Sequence, residues 1–215
     1  NKDGAVAEWM DENVSDYYSH RHLSHFYPIF ASKEFDTPNI TALLPNFKRA
    51  LDLKGYAEMA GWSWPHISAI RSRLRDSGKA FDMLNAFSKL NLLENFFTIG
   101  DDWRDMYPTN FDCFNECETP IQFDSLLGYV NAIQEMLIFT SEKNLQILPA
   151  CPKEFSKGTA KLTFHSGNIE LEWDLENKEC KGVITANKEA EFTLYLPFGR
   201  EPQNILLKKN EQFMF

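Results

Sequence analysis

Ile67-Ser-Ala-Ile70-Arg-Ser-Arg-Leu74-Arg-Asp76-Ser-Gly78-Lys-Ala80-Phe-Asp-Met83-Leu84-Asn-Ala-Phe87-Ser-Lys-Leu90 is the stretch that decides the fold class. Ile67, Ile70 and Leu74 recur at helical spacing, and Ala80, Met83, Leu84, Phe87 and Leu90 form a second, longer stripe. Between them Asp76-Ser-Gly78 interrupts the pattern and offers a capping side chain, so the spacing predicts two helices folded back on each other.

Working outward, the same period predicts a helix over residues 40–53, closed by Gly55. Another is expected over about 125–140, with Val130, Ile133, Met136 and Leu137 facing inward. Residues 5–10 read as the end of a further helix. Residues 17–39 and 95–120 resist regular assignment. Loops of that length inside a compact helical domain are uncommon and are often functional. Near residue 143 the period switches to two, most cleanly in Ile169-Glu-Leu-Glu-Trp173. Turn residues such as Ser166-Gly167-Asn168 and Phe198-Gly199 separate five or six expected short antiparallel strands. The expected class is therefore α then β. Residues 1–142 form a helical part and 143–215 a small β-sandwich. Helical hairpins joined by long loops suit part of an (α/α)6 toroid better than a closed bundle.

The 215 residues carry a net charge of −9, with 43% hydrophobic and 14% aromatic residues. A nucleic-acid partner needs a basic stripe to neutralise phosphates. The nearest one, Arg71-Ser-Arg73-Leu-Arg75, lies within a helical pattern and is balanced by acids. Apolar runs such as Ile205-Leu-Leu207 are too short to span a bilayer, so no membrane partner is expected. Cys113, Cys117, Cys151 and Cys180 show neither zinc spacing nor a dense disulfide framework, which favours free thiols and a reducing, cytoplasmic compartment. The chain opens with Asn1-Lys-Asp-Gly4 and reads as an internal start, so any secretion signal would lie upstream.

Several motifs follow one another in a fixed order. They are Glu8-Trp9, His20-Arg-His22-Leu-Ser-His25-Phe-Tyr27, Gly61-Trp62-Ser63 and Arg73-Leu-Arg-Asp76 with Lys79-Ala80-Phe81. Thr119-Pro-Ile-Gln122-Phe-Asp124, Ile133-Gln-Glu-Met-Leu137 and Leu145-Gln-Ile-Leu-Pro-Ala150-Cys-Pro152 complete the series. This succession resembles the C-terminal part of glycoside hydrolase family 95, the α-L-fucosidase type. The resemblance implies an (α/α)6 catalytic barrel followed by a β-sandwich, and an oligosaccharide with a terminal α-linked sugar as substrate. It also implies inverting hydrolysis, in which an acid protonates the leaving oxygen while a second group activates water from the opposite ring face.

Mapped residue by residue, the resemblance makes Asp124 the water-activating carboxylate. The partnering Asn pair and the acidic Glu of the family belong to segments that this chain lacks. An upstream part of the same protein is therefore an expected partner, and the 215 residues alone are expected to be inactive. The resemblance further assigns sugar recognition to the histidines, best of all His22, then His20 and His25, with Trp62 and Gln122 lining the pocket. Read from spacing alone, Asp124 is better taken as the cap of a helix starting near Ser125; the resemblance reverses that preference, and the two roles are not exclusive. The three histidines read as packed or capping residues, and no carboxylate at ligand spacing completes a metal site, so no metal or other cofactor is expected. Trp9, Trp64 and Trp103 read as core, Glu8 as an orienting carboxylate, and the Asp101 to Asp105 run as a solvated loop. Two departures bear on the substrate. Asp124-Ser-Leu-Leu-Gly128 replaces the family's Asp-Gly-Asn-Phe-Gly, and Pro28-Ile-Phe30 replaces Gly-Leu-Tyr-Pro.

Overall fold

The computed structural model describes residues 1–32, 34–100 and 121–215. It forms two compact units, Asn1–Ile133 and Gln134–Phe215. Trp103, Cys113, Cys117, the Asp101 to Asp105 run and Thr119-Pro120, each given a reading above, lie outside the described residues.

Four helices come first: α1 (Pro38–Leu53), α2 (Ser63–Arg73), α3 (Ser77–Leu90) and α4 (Phe123–Leu137). Pro38 opens α1, where its missing N–H costs nothing, and Ile40, Phe47, Ala50 and Leu51 are buried. The apolar stripe of α3 is buried at all five expected positions. In α2, Ile67 and Ile70 are buried while Leu74 lies just past the helix end and packs at the core's edge. Ser68 Oγ donates to the Ala80 carbonyl at 2.8 Å, pinning the middle of α2 to the start of α3. The core also takes Phe26 and Ile29 from the loop before α1. Full burial of such side chains stabilises by about 1.5–3 kcal/mol each.

Asp76 holds the N-cap position of α3, yet its side chain makes no capping bond. Its Oδ2 instead accepts from Arg71 Nη1 at 2.8 Å. Arg71, 3% exposed, also reaches Asp52 Oδ1 at 3.3 Å, and its Nη2 donates to the Leu51 carbonyl at 3.0 Å. The charge-assisted bond from the buried guanidinium occupies the carboxylate that would otherwise cap α3. The acid balance read in the Arg71–Arg75 run is thus a specific buried network.

Other expectations change. Residues 5–10 contain no helix, although Ala5 is buried. Helix α4 ends at Leu137, and 138–140 form a strand instead of its last turn. Val130 is 60% exposed, not inward. The inner stripe of α4 begins with Ser125 and passes through Tyr129, stacked on Phe87 at 5.3 Å, to Ala132 and Met136. Small residues there let α4 approach closely: a Cβ on Gly128 would stand 3.2 Å from Pro65 of α2. The larger Phe123, Leu127 and Val130 recur on the exposed side.

The second unit holds eight strands: β1 (Ile138–Thr140), β2 (Asn144–Ile147), β3 (Lys157–Phe164), β4 (Gly167–Asp174), β5 (Glu179–Ala186), β6 (Ala190–Tyr195), β7 (Gln203–Leu207) and β8 (Gln212–Met214). They make two four-stranded sheets, β1-β2-β6-β7 and β3-β4-β5-β8. The burial of β4 alternates as its sequence does, with Ile169, Leu171 and Trp173 inside. The rings of Phe164 (β3) and Phe192 (β6), one from each sheet, meet at 5.9 Å. Against the all-antiparallel expectation, β2 pairs with β6 in parallel. The long excursion through β3, β4 and β5 separates them in sequence and permits that direction. Cys151 and Cys180 are free thiols, and burial raises them to about 12 and about 11, which makes them inert.

Candidate active site

The histidine segment is not an α-helix; only Ser24–Phe26 forms a single 3-10 turn. Its path is set from below by Lys54, whose Nζ donates to the carbonyls of His20 at 2.5 Å and Tyr18 at 3.5 Å. The N–H of Gly55 donates to the same Tyr18 carbonyl. Burial lowers Lys54 to about 8, against the pull of Glu8 and Glu58. Lys54 and Gly55 follow α1 directly, so the end of that helix fixes where the histidines stand.

His20, His22 and His25 share a small pocket with Glu8, Asp16 and Lys54. Glu8 Oε1 lies 3.8 Å from His20 Nδ1, and the Glu8 N–H donates to Asp16. The His20 and His22 rings are 5.0 Å apart, and His22 is 5.1 Å from the Trp62 ring. His22 is exposed, yet burial of its base and the neighbouring Arg21 and His20 charges hold it below the ordinary histidine range. His25 turns away toward Phe26, and its buried Nδ1 has no hydrogen-bond partner among the described residues. Burial takes His25 to about 4. Trp62 is half-buried, Trp64 is buried against Tyr56, and Trp9 is about half exposed.

His66, which the sequence reading did not single out, sits one turn along α2 with its ring 6.0 Å from Trp62 and 5.4 Å from Phe30. Phe30 also lies under the Arg73 guanidinium at 4.4 Å. Burial, with the nearby His22 and Lys54 charges, lowers His66 to about 4.

Asp124 stands in the first turn of α4 and is exposed, with its Oδ1 accepting from the Ser125 N–H at 3.0 Å. The expected cap before a helix starting near Ser125 is not what forms: α4 starts at Phe123, so Asp124 lies within its first turn and, among the described residues, its carboxylate bonds only the next N–H. Gln122, immediately before α4, is bonded through its side chain: Oε1 accepts from the Trp62 N–H at 3.3 Å and from Ser125 Oγ at 2.8 Å. Its backbone pairs with Thr98 in both directions. Segment 98–100, inside the expected loop, is buried and tied to Asn91, Gly61 and Gln122. The sequence signal for this knot was the glycine pair. A Cβ on Gly61 would meet the Ile99 carbonyl at 2.3 Å, and one on Gly100 would meet Gln122 Nε2 at 2.7 Å. Bonded or ring contacts thus run from Glu8 through His20, His22, Trp62 and Gln122 to Ser125, beside Asp124. His25 is in the pocket but turned aside. Among the described residues, no three His, Cys, Asp or Glu side chains converge as a metal-holding group.

The imidazoles of His20 and His22 lie beside the Trp62 indole, and the Trp62 backbone is joined through Gln122 to the turn of α4 that carries Asp124. The family model of the glycosyl hydrolase family 95 catalytic domain matches residues 1–137, and the chain belongs to that family. A protein of Arabidopsis thaliana named Alpha-L-fucosidase 2 is 27% identical over 154 residues, covering 71% of this chain. The match spans 17% of that relative's length.

Proposed function

We propose that this chain is part of an inverting glycoside hydrolase that removes terminal α-L-fucosyl, or the related α-L-galactosyl, groups from oligosaccharides. Asp124 is the water-activating carboxylate, and the general acid comes from an upstream part of the same protein. The helices complete an (α/α)6 toroid across residues 1–142, and residues 143–215 are its accompanying β-sandwich. The name of the Arabidopsis relative and the family membership support the substrate class.

The observation that carries the reading is the position of Asp124. It is exposed at a helix N-terminus, two residues from a side chain bonded to the Trp62 backbone. A water-activating group takes its proton as a carboxylate, and Asp124 is open to the solvent from which that water comes. Inversion requires the acid to stand roughly 6.5–9.5 Å from it, leaving room for that water. His22, held neutral, offers one donor and one acceptor nitrogen to sugar hydroxyls, and Trp62 offers a flat apolar face. His20, oriented by Glu8, adds a second imidazole, while His25 supports the wall from within.

The test is hydrolysis of aryl α-L-fucoside and α-L-galactoside by the full-length protein, wild type against Asp124→Asn. A fall of at least ~10²-fold in kcat supports the base role. Unchanged turnover in the variant refutes it, and sugar binding without turnover in the wild type would favour a non-catalytic carbohydrate-binding module. The 215-residue chain alone is expected to show no turnover.

A further inference from the structure

We propose that Gln122 is a positioning residue: its side-chain oxygen locks the start of α4, and with it Asp124, to the backbone that carries Trp62. The inference rests on the reading of Asp124 as the water-activating carboxylate.

The oxygen accepts two bonds from opposite sides, the Trp62 N–H at the start of α2 and the Ser125 hydroxyl in the first turn of α4. Ser125 is completely buried, so its hydroxyl has no water to turn to if Gln122 is lost. The amide is seated between two glycines. A Cβ on Gly61 would stand 2.9 Å from Oε1, and a Cβ on Gly100 would stand 2.7 Å from Nε2. Backbone bonds hold the same place from outside, with Gln122 N–H donating to Thr98 at 2.7 Å and Gly61 N–H to Gly100 at 2.9 Å.

A side chain that is wedged between two backbones and accepts two bonds on one oxygen is committed to the protein. Ser125 is this chain's own contribution, since the pattern it resembles has glycine there. The serine supplies a donor that glycine lacks and recruits Gln122 to the turn bearing Asp124. A carboxylate that must aim a water is sensitive to displacement, because an error of about 1 Å costs on the order of 10²-fold in rate. A residue acting this way changes kcat and spares KM. A residue that binds sugar through its amide does the reverse.

The experiment compares Gln122→Leu, Gln122→Glu, Ser125→Ala and Asp124→Asn in the full-length protein, with aryl α-L-fucoside as substrate and circular dichroism to verify folding. Glutamate keeps the acceptor oxygen and loses the amide donor. The expected result is a kcat loss of ~10²-fold in Gln122→Leu with KM within ~3-fold, and recovery of at least ~10-fold of that loss in Gln122→Glu. Ser125→Ala, which removes one of the two bonds without touching Gln122, falls by ~10-fold in kcat and keeps KM. If Gln122→Leu fails to fold, the Gln122→Glu and Ser125→Ala results decide. Equal losses in Gln122→Leu and Gln122→Glu with KM raised ~10-fold would make Gln122 a sugar ligand and overturn the proposal. Wild-type kcat in Gln122→Leu or Ser125→Ala, beside an inactive Asp124→Asn, would overturn it while leaving the base assignment standing. An active Asp124→Asn would overturn both.

Discussion

Replacing Arg71 by Met leaves the carboxylates of Asp52 and Asp76 without their shared guanidinium and the Leu51 carbonyl without its donor. Removing one member of a buried ion pair costs about 3–5 kcal/mol, because the remaining charge stays desolvated. Two features place this case at the low end. Lys79 Nζ still holds Asp52 at 2.5 Å, and Lys48 stands 3.9 Å from Asp76. Asp52 is also about one-third exposed, so water takes part of the load. The expected loss is therefore about 3 kcal/mol. Hydrogen exchange followed by mass spectrometry on the full-length protein reads this locally, on peptides from α2 and α3. At 1.36 kcal/mol per decade, the slowest amides there should exchange ~10²-fold faster in Arg71→Met. Adding Asp76→Leu should recover a good part of the loss, since the stranded charge is then gone. Arg71→Lys, which keeps the charge and loses the fork, should fall between. Acceleration of less than ~5-fold in Arg71→Met would refute the view that this network holds the helical hairpin closed.

His25 and His66 lie near 4 in the folded protein and at 6.5 when unfolded, so the unfolded chain binds their protons first as pH falls. Their neutral burial contributes stability that is intact above pH 6.5 and lost between 6.5 and 4, of order 2 kcal/mol each after discounting for partial exposure. His66→Phe should flatten the pH dependence of unfolding across that window, and an unchanged slope would contradict the assignment. Gly61→Ala forces a Cβ against the Ile99 carbonyl, which is backbone and cannot swing aside, so about 2 kcal/mol of stability and most of the activity should be lost. Gly78→Ala, with nothing within 4 Å in the first turn of α3, should instead stabilise by about 0.5–1 kcal/mol, and denaturant titration of both glycine variants checks the two signs.

Periodic burial is written in the chain, and so α1, α2 and α3 were legible in it, whereas the helix expected at residues 5–10 and the last turn expected of α4 did not form. The α3 stripe from Ala80 to Leu90 and the alternation of Ile169, Leu171 and Trp173 are single-element properties, and the apolar side of each must find a core. The order of His20-Arg-His22, Gly61-Trp62-Ser63 and Gln122-Phe-Asp124 likewise marked the segments that meet. Their partners were not legible, because partners lie far away in sequence. Asp76 has the residue type and position of a cap, yet the distant Arg71 and Asp52 network takes its carboxylate. Val130 has the hydrophobicity of a core residue, yet α4 meets α2 over Gly128 and turns Ser125, Tyr129, Ala132 and Met136 inward, which leaves Val130 outside. His66 becomes a member of the ring cluster only when α2 turns it toward Trp62 and Phe30. Sequence by itself determined the apolar stripe of α3 and the alternating face of β4. Tertiary structure alone decided which donor meets which acceptor, because hydrogen bonds and close contacts are fixed by distances that no local pattern encodes.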